Sequence, residues 1–322
     1  MRRDHKLSEA YAKDPEDEDF LQRLNAALLP HEEERYAERE ERFATLHVVG
    51  APRSGTTLLT QMVASQFAIG SISNLAAAFW QAPVHGIRLS KKLLGWGNAS
   101  TFASDYGRTP DIWEPHEYGY FWSRALGYSE LAEPVNPATD PIDWARFRTV
   151  MTNMTAAAGA PIVFKSFMLG FYTEEVQAVL PKTCFVLVHR DPVENALSIL
   201  KMRRTYSGDE AAWTSVKPRE YSVLRDETPA VQAAAQALLV ERAYRRHFDR
   251  VGGRNCLVLS YEDLCADPGA AIDRVEALLE RAGGCPPRTP HTPRALRARR
   301  SDDSPERAAV TAALRDLERR FL

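Results

Sequence analysis

The feature that most constrains this chain is a short apolar run that leads directly into a glycine-bounded loop and a helical pattern. Residues 46–49 predict a buried strand, and residues 50–57 read Gly-Ala-Pro-Arg-Ser-Gly-Thr-Thr. Beyond the loop, apolar residues recur at spacings of three and four, which predicts a helix; they are Leu59, Met62, Val63 and Phe67. A strand, loop and helix in this order direct backbone N–H groups and the positive end of a helix dipole at one point. The stretch therefore predicts a site for a phosphate or a similar oxyanion.

This glycine loop (residues 50–57) approaches the P-loop of nucleotide triphosphatases, Gly-x-x-x-x-Gly-Lys-Ser/Thr. Thr56 stands where that motif has its lysine, and the nearest fixed positive charge is Arg53, inside the loop. Without the lysine that reaches the outer phosphates, a kinase or ATPase would be poorly equipped. Backbone amides, one arginine and the hydroxyls of Thr56 and Thr57 suit the 5′ end of a nucleotide instead.

A second anion-binding pattern follows the continuous apolar run at residues 184–189, which predicts a central parallel strand. Arg190 comes directly after that strand, and Ser198 falls two turns into the helix that follows. Asp191 suits the N-cap of this helix and Pro192 its first position. Because α/β folds bind ligands at the carboxyl ends of their strands, Arg190 and Ser198 predict a phosphate site.

Strand and helix patterns alternate through most of the chain, which predicts an α/β fold with a P-loop-like central parallel sheet flanked by helices. Further strands are expected at residues 161–167 and 256–261, with helices at 173–180 and from 268 to about 280. We expect a single domain over residues 44–322, which includes an aromatic-rich insertion at 70–140 and a basic loop and last helix at 281–322. Residues 1–43 form a charged extension, predicted as two helices that pack on the core or on a neighbouring subunit, so an oligomer is compatible with the sequence.

Composition limits the partners. The net charge of −2 gives no electrostatic case for nucleic acid or an anionic membrane. The four cysteines show no Cys-x-x-Cys pair and no zinc spacing, so reduced thiols are expected. The N-terminus runs into acidic sequence, and no stretch approaches 18 consecutive apolar residues. We expect a cytoplasmic protein with no integral membrane segment.

Three separated motifs resemble those of sulfotransferases that use 3′-phosphoadenosine 5′-phosphosulfate (PAPS). Pro-Arg-Ser-Gly-Thr-Thr at residues 52–57 is similar to their 5′-phosphosulfate loop, in the form found in protein-tyrosine sulfotransferases and many bacterial relatives. Arg190 and Ser198 resemble the 3′-phosphate motif, an arginine followed eight residues later by a serine. Tyr261, Glu262 and Asp263 resemble a Tyr-Glu-Asp segment after a late strand. The resemblance covers roughly residues 45–280.

The resemblance implies transfer of a sulfuryl group from PAPS to a hydroxyl or amine, which leaves 3′-phosphoadenosine 5′-phosphate, with no metal required. Lys165 matches the family's lysine at the end of its second strand, and with Arg53 it would stabilise charge on the leaving phosphate. The implied nucleotide-binding residues are Arg53, Ser54, Gly55, Thr56, Thr57, Arg190, Ser198 and Tyr261.

The sequence departs from the family pattern at the positions where relatives carry the general base. The histidine that cytosolic members have two residues after the strand lysine is here Phe167, and the Glu-Glu-Thr of the tyrosine enzymes has no counterpart at residues 73–77. The candidates lie in the aromatic stretch 113–118. His116 and Glu117 are favoured equally, and Glu114 is a further candidate.

The insertion at 70–140 is predicted to wall a substrate pocket, which suggests a small-molecule, carbohydrate or lipid acceptor. A late group of arginines is expected to be a solvated basic tail; its members are Arg294, Arg297, Arg299 and Arg300. Two alternatives stay open: a P-loop kinase or other nucleotide triphosphate enzyme, since Thr57 retains a magnesium-binding hydroxyl, and an inactive nucleotide-binding protein, since no standard base is present.

Overall fold

The computed structural model describes residues 11–292, 296–298, 300 and 303–321 of the 322-residue chain. The strands are β1 (Thr45–Val49), β2 (Gly70–Ser71), β3 (Ile162–Lys165), β4 (Cys184–His189) and β5 (Cys256–Ser260). The longer helices are α1 (Pro15–Glu33), α2 (Thr56–Gln66), α4 (Pro83–Leu94), α6 (Trp144–Ala158), α8 (Pro192–Ser207), α10 (Pro229–Arg250), α12 (Pro268–Arg281) and α13 (Pro305–Phe321). Short helices are α3 (Asn74–Ala77), α5 (Gly119–Ala125), α7 (Thr173–Val179), α9 (Tyr221–Leu224) and α11 (Tyr261–Ala266).

The five strands form one parallel sheet in the order β2-β3-β1-β4-β5. Every residue of β1 is buried, as expected for a strand covered by helices on both faces. In the register, Val48 of β1 lies opposite Lys165 of β3 and opposite Val186 of β4. The predicted α/β fold with a central parallel sheet is confirmed.

The parallel arrangement places the predicted functional residues at one edge of the sheet. The glycine loop follows β1, Lys165 ends β3, Arg190 follows β4 and Tyr261 follows β5. These are the carboxyl ends of the four neighbouring strands, where open α/β sheets bind ligands.

Two apolar layers hold the sheet in place. On one face, α2 and α12 pack against β1 and β4 through fully buried side chains, among them Leu59, Met62, Val63 and Phe67 as predicted. The other face carries an aromatic layer in which the buried His47 ring stacks on Phe164 at 5.0 Å between centroids. Tyr118, Phe121 and Trp122 belong to this layer, so much of the insertion's aromatic content fills the core.

In its described residues, 11–43, the N-terminal extension contains one α-helix where two helices were predicted. Helix α1 continues through Pro30 to Glu33, and residues 37–42 have no regular structure. That charged run offers no apolar stripe to bury, and a short helix without tertiary packing is marginal in water. Asn153 instead holds the segment by exchanging side-chain hydrogen bonds with both backbone groups of Ala37. Helices α4, α6 and α10 were not predicted.

The late group of arginines, expected to be solvated, falls partly on residues that the structure does not describe. Arg297 and Arg300 are exposed, whereas Arg294 and Arg299 lie outside the described residues. Within the described ranges, no helix is both long and apolar enough to cross a membrane.

Glu32 fastens α1 to the rest of the molecule. Its fully buried carboxylate accepts hydrogen bonds from the backbone N–H of Val84 at 2.7 Å and of His85 at 3.3 Å, and it contacts His85 Nδ1. These amides open α4, whose N-cap residue is Ala82 and has no side chain that can cap them. A carboxylate on one helix therefore caps another.

Replacing Glu32 with Gln leaves one acceptor oxygen for the backbone donors of Val84 and His85, so we expect the free energy of unfolding to fall by about 1–3 kcal/mol. Urea denaturation measures this change. Glu34, two residues further along the chain with an exposed side chain, is the control, and Glu34→Gln is expected to cost less than about 0.5 kcal/mol. Equal effects of the two substitutions would contradict the capping role.

Candidate functional site

The glycine loop is held in a conformation that its two glycines make possible. A Cβ at Gly50 would lie 2.4 Å from Ser54 Oγ and 2.8 Å from the carbonyl oxygen of Val188. Gly55 has φ 108°, and a Cβ there would lie 2.5 Å from the Tyr261 ring. Only glycine fits this close approach of loop, strand and ring. Arg53 also takes a left-handed conformation, with φ 69°.

The two predicted phosphate motifs are in direct contact. Arg53 Nε donates to Ser198 Oγ at 3.3 Å, and Arg190 Nη1 donates to the carbonyl oxygen of Arg53 at 2.9 Å. Asn195 Nδ2 donates to the carbonyl oxygen of Pro52 at 2.8 Å. Residues one and two turns into α8 thus hold the glycine loop, and the charge of Arg190 acts on the Arg53 guanidinium.

For this pair of arginines, no carboxylate among the described residues lies within salt-bridge distance of either Arg53 or Arg190. Burial, and after it the like charge of Arg190, lowers the pKa of Arg53. The Arg190 guanidinium lies 4.6 Å from the centre of the Tyr261 ring. Two like charges held together without a counter-ion make a strong local attraction for an anion.

Two polar atoms beside these charges have no protein partner. Ser54 Oγ and Arg190 Nε are buried, and in the described part of the chain neither has a hydrogen-bond partner. Buried polar groups are almost always paired, so an unpaired hydroxyl inside an anion-binding loop calls for an explanation. A loop of this chemistry fits a phosphate group.

Lys165 brings a third cation to the same edge. Its Nζ donates to Thr57 Oγ1 at 2.6 Å and forms an ion pair with Glu117. The lysine side chain is 5% exposed, whereas that of Glu117 is 41% exposed. Glu117 is therefore a carboxylate that touches both the buried lysine and solvent.

The other two base candidates have different surroundings. Glu114 is buried, and its carboxylate accepts hydrogen bonds from Ser100, Thr101 and Gln61. His116 accepts the backbone N–H of Tyr118 at Nδ1, 2.8 Å away. The residue keeps an exposed edge, yet the protein around the ring desolvates it and lowers the pKa of His116, while Glu117 opposes that shift.

Residues 102–108 lie over this site; the sequence placed them within the insertion predicted to wall a substrate pocket but did not single them out. A Cβ at Gly107 would lie 3.0 Å from Lys165 Nζ, and the Arg53 guanidinium lies 5.0 Å from the centre of the Tyr106 ring. Tyr106 and Gly107 both have positive φ. An aromatic residue next to glycine is too common in loops to be a signal by itself.

Comparison with solved structures finds bacterial sulfotransferases. Sulfotransferase STF9 from Mycobacterium avium is 14% identical, with a TM-score of 0.49 over 96% of this chain and 78% of that one. Sulfotransferase STF1 from Mycobacterium tuberculosis H37Rv is 15% identical, with a TM-score of 0.47 over 94% and 81%. No match to the chain is found among curated protein sequences.

A match to a protein-family model assigns the chain to a family. The model described as the sulfotransferase family matches residues 46–282, which is most of the chain. The matched range contains the glycine loop, Lys165, Arg190, Ser198 and Tyr261, the residues that the fold brings to one edge of its sheet. The chain belongs to the sulfotransferase family.

Proposed function

We propose that this protein transfers a sulfuryl group from PAPS to a hydroxyl or amine of an acceptor, leaving 3′-phosphoadenosine 5′-phosphate. The observation that carries the proposal is the adjacent pair Arg53 and Arg190, which lacks a carboxylate partner among the described residues. A nucleotide with phosphates at both its 5′ and 3′ positions supplies the anions that this pair lacks.

Each end of the nucleotide has its own set of residues in this proposal. The loop amides, Ser54, Thr56, Thr57 and Arg53 hold the 5′-phosphate at the start of α2. Arg190 and Ser198 hold the 3′-phosphate, and the Tyr261 ring packs between Gly55 and Arg190. The unpaired Ser54 hydroxyl would gain an acceptor from the 5′-phosphate.

The transfer step requires stabilisation of the negative charge that develops on the leaving 5′-phosphate. The acceptor oxygen or nitrogen forms a bond to sulfur while the bond from sulfur to the 5′-phosphate oxygen breaks, so negative charge grows on that phosphate. Lys165 contacts Thr57 at the end of the glycine loop, and Arg53 is a residue of the loop itself, so both cations are placed to stabilise that charge. Lys165 needs no rearrangement of the strand to do so, because it is the last residue of β3.

Glu117 takes the acceptor's proton in this scheme. It is ion-paired to Lys165 and partly exposed, so one carboxylate lies between the lysine and the solvent side from which an acceptor arrives. His116 is less suited, since the lone pair of Nδ1 already accepts a backbone N–H and the neutral ring then carries its hydrogen on Nε2. Glu114 is enclosed by its own hydrogen bonds.

The acceptor is proposed to be a neutral ring, sugar or lipid-like molecule. Phe167 lies with its ring centre 5.6 Å from Lys165 Nζ and is partly exposed, so the surface beside the lysine is aromatic. Such a surface favours stacking with a ring or sugar face over binding of a charged polymer. The four cysteines are free thiols, which supports the proposal that the protein acts in the reducing cytoplasm.

Calorimetric titration with 3′-phosphoadenosine 5′-phosphate, set against ATP with magnesium, tests the nucleotide. We expect tight binding of the first, and Arg190→Ala is expected to weaken it about 10- to 100-fold because a charge-assisted fork on phosphate is lost. Arg225→Ala, at an exposed arginine on the surface, is the control and leaves affinity unchanged. Preference for ATP with magnesium would favour the kinase alternative.

The substitution Glu117→Gln tests whether Glu117 is the general base. We expect turnover to fall at least about 100-fold while affinity for 3′-phosphoadenosine 5′-phosphate stays within about threefold, since the amide keeps its contact with Lys165 but accepts no proton. Release of that nucleotide from PAPS is measured with an acceptor chosen by screening phenols, sugars and alkyl alcohols.

His116→Gln is the neighbouring control for the base, with an expected loss of less than about tenfold. A larger loss for His116→Gln than for Glu117→Gln would move the base to His116. Nucleotide binding by the wild-type chain, with no acceptor in the screen giving turnover, would favour the inactive binding protein.

A further inference from the structure

We propose that residues 102–108, the covering loop, form a lid over the reaction centre and that Tyr11 is the positioning residue that holds the lid closed. The inference rests on the proposed function, since it assigns Lys165 and Arg53 to contact with the nucleotide. Tyr11 lies outside the range matched by the family model, which begins at residue 46. The lid contact is therefore a feature of this chain beyond its family match.

The covering loop lies directly on the groups that must meet the ligand. A Cβ built on Gly107 would be 3.0 Å from Lys165 Nζ, 3.2 Å from Glu117 Oε1 and 3.7 Å from Thr57 Oγ1. Lys165 is 5% exposed beneath it. The first two separations are tighter than the ordinary contacts of a Cβ, so the loop backbone lies against the lysine and leaves no room for a sulfuryl or phosphate group between Gly107 and Lys165. A group that approaches Lys165 from this side requires the loop to move.

The same loop covers the other side of the site. The Arg53 guanidinium lies 5.0 Å from the centre of the Tyr106 ring, and the Tyr206 hydroxyl donates to the carbonyl oxygen of Tyr106 at 3.2 Å. One segment thus contacts both the lysine and the loop arginine. A single movement of this segment would uncover both cations.

The covering loop is built as a tip between two fixed ends. Before it, Ser100 and Thr101 are held by the buried carboxylate of Glu114. After it, the Asn74 side chain donates to Thr109 and to the carbonyl oxygen of Asp111.

The tip between those ends is a tight turn under backbone strain. It is closed by two backbone hydrogen bonds between Asp105 and Arg108, of 2.8 and 3.0 Å. Phe102, Tyr106 and Gly107 have positive φ of 53°, 48° and 94°, and non-glycine residues keep such a conformation only when contacts elsewhere enforce it. Those contacts come from outside the loop.

Tyr11 supplies two of them. Its hydroxyl donates to Asp105 Oδ2 at 2.7 Å, and its carbonyl oxygen accepts a hydrogen bond from Arg108 Nη2 at 2.9 Å. Its buried ring packs on Tyr206 of α8, with 4.3 Å between centroids. Tyr11 therefore binds both residues that close the turn and ties them to the helix that carries Ser198. Releasing it raises the open fraction of the lid and with it the rate at which a nucleotide enters.

Acetylation of Lys165 in the ligand-free, full-length chain tests the lid without reference to any nucleotide. The rate is measured by mass spectrometry and divided by that of Lys92, which is exposed. We expect the ratio to rise about threefold in Tyr11→Phe and in Asp105→Ala, which each remove one hydrogen bond, and about tenfold in Tyr11→Ala. Phe20→Ala, at an exposed aromatic residue of the same extension, leaves the ratio unchanged. An unchanged ratio in Tyr11→Phe, Asp105→Ala and Tyr11→Ala overturns the lid.

Stopped-flow binding of 3′-phosphoadenosine 5′-phosphate then tests whether the lid controls the site. We expect Tyr11→Ala to raise the association rate constant by about as much as it raises the labelling ratio, while Phe20→Ala has no effect. Faster labelling with an unchanged association rate overturns the gating role. If no variant and no wild-type chain binds the nucleotide, the proposed function fails, and the labelling ratio alone decides the lid.

Discussion

Parallel pairing of β1 with both β3 and β4 is the constraint on which the site depends. Because Val48 lies level with Lys165 on one side and with Val186 on the other, β1 and β3 end within one residue of each other, and β4 continues three residues beyond Val186 to His189. The glycine loop then leaves the sheet between a lysine and an arginine that come from distant parts of the chain. A shift of one residue in either pairing would turn every side chain of the shifted strand to the opposite face and separate these cations.

The electrostatics of the site work against folding and in favour of binding. Arg53 and Arg190 are held together with hydrogen bonds to Ser198 and to a loop carbonyl, and neither is paired with a carboxylate in the described chain. Desolvating like charges is costly, so the surrounding core must supply the stability. The fully buried layers on the two faces of the sheet do so. The unneutralised charge remains available for an anionic ligand.

The N-terminal extension meets this core at several points, and two of them are single polar residues. Glu32 caps α4 through its buried carboxylate, and Tyr11 binds the turn of the covering loop. Of the two predicted packing partners, the core is the one that α1 contacts, through the buried Asn25 and Glu32 and through Leu21, which packs against the aromatic layer. This explains why a segment so rich in charge is nevertheless ordered over Pro15–Glu33.

The sequence by itself determined the fold class, the glycine loop and the strands β3, β4 and β5, because apolar periodicity and turn chemistry are local properties of neighbouring residues. It also identified Lys165, Arg190 and Ser198 as a set, although their contacts cross more than a hundred residues. It left His116 and Glu117 equally favoured, with Glu114 as a further candidate, since the three share one aromatic stretch. Only the tertiary structure separated them: Glu114 faces Gln61 and Ser100, whereas Glu117 faces Lys165. Which way a loop side chain points depends on partners from other elements, and local sequence carries no information about them.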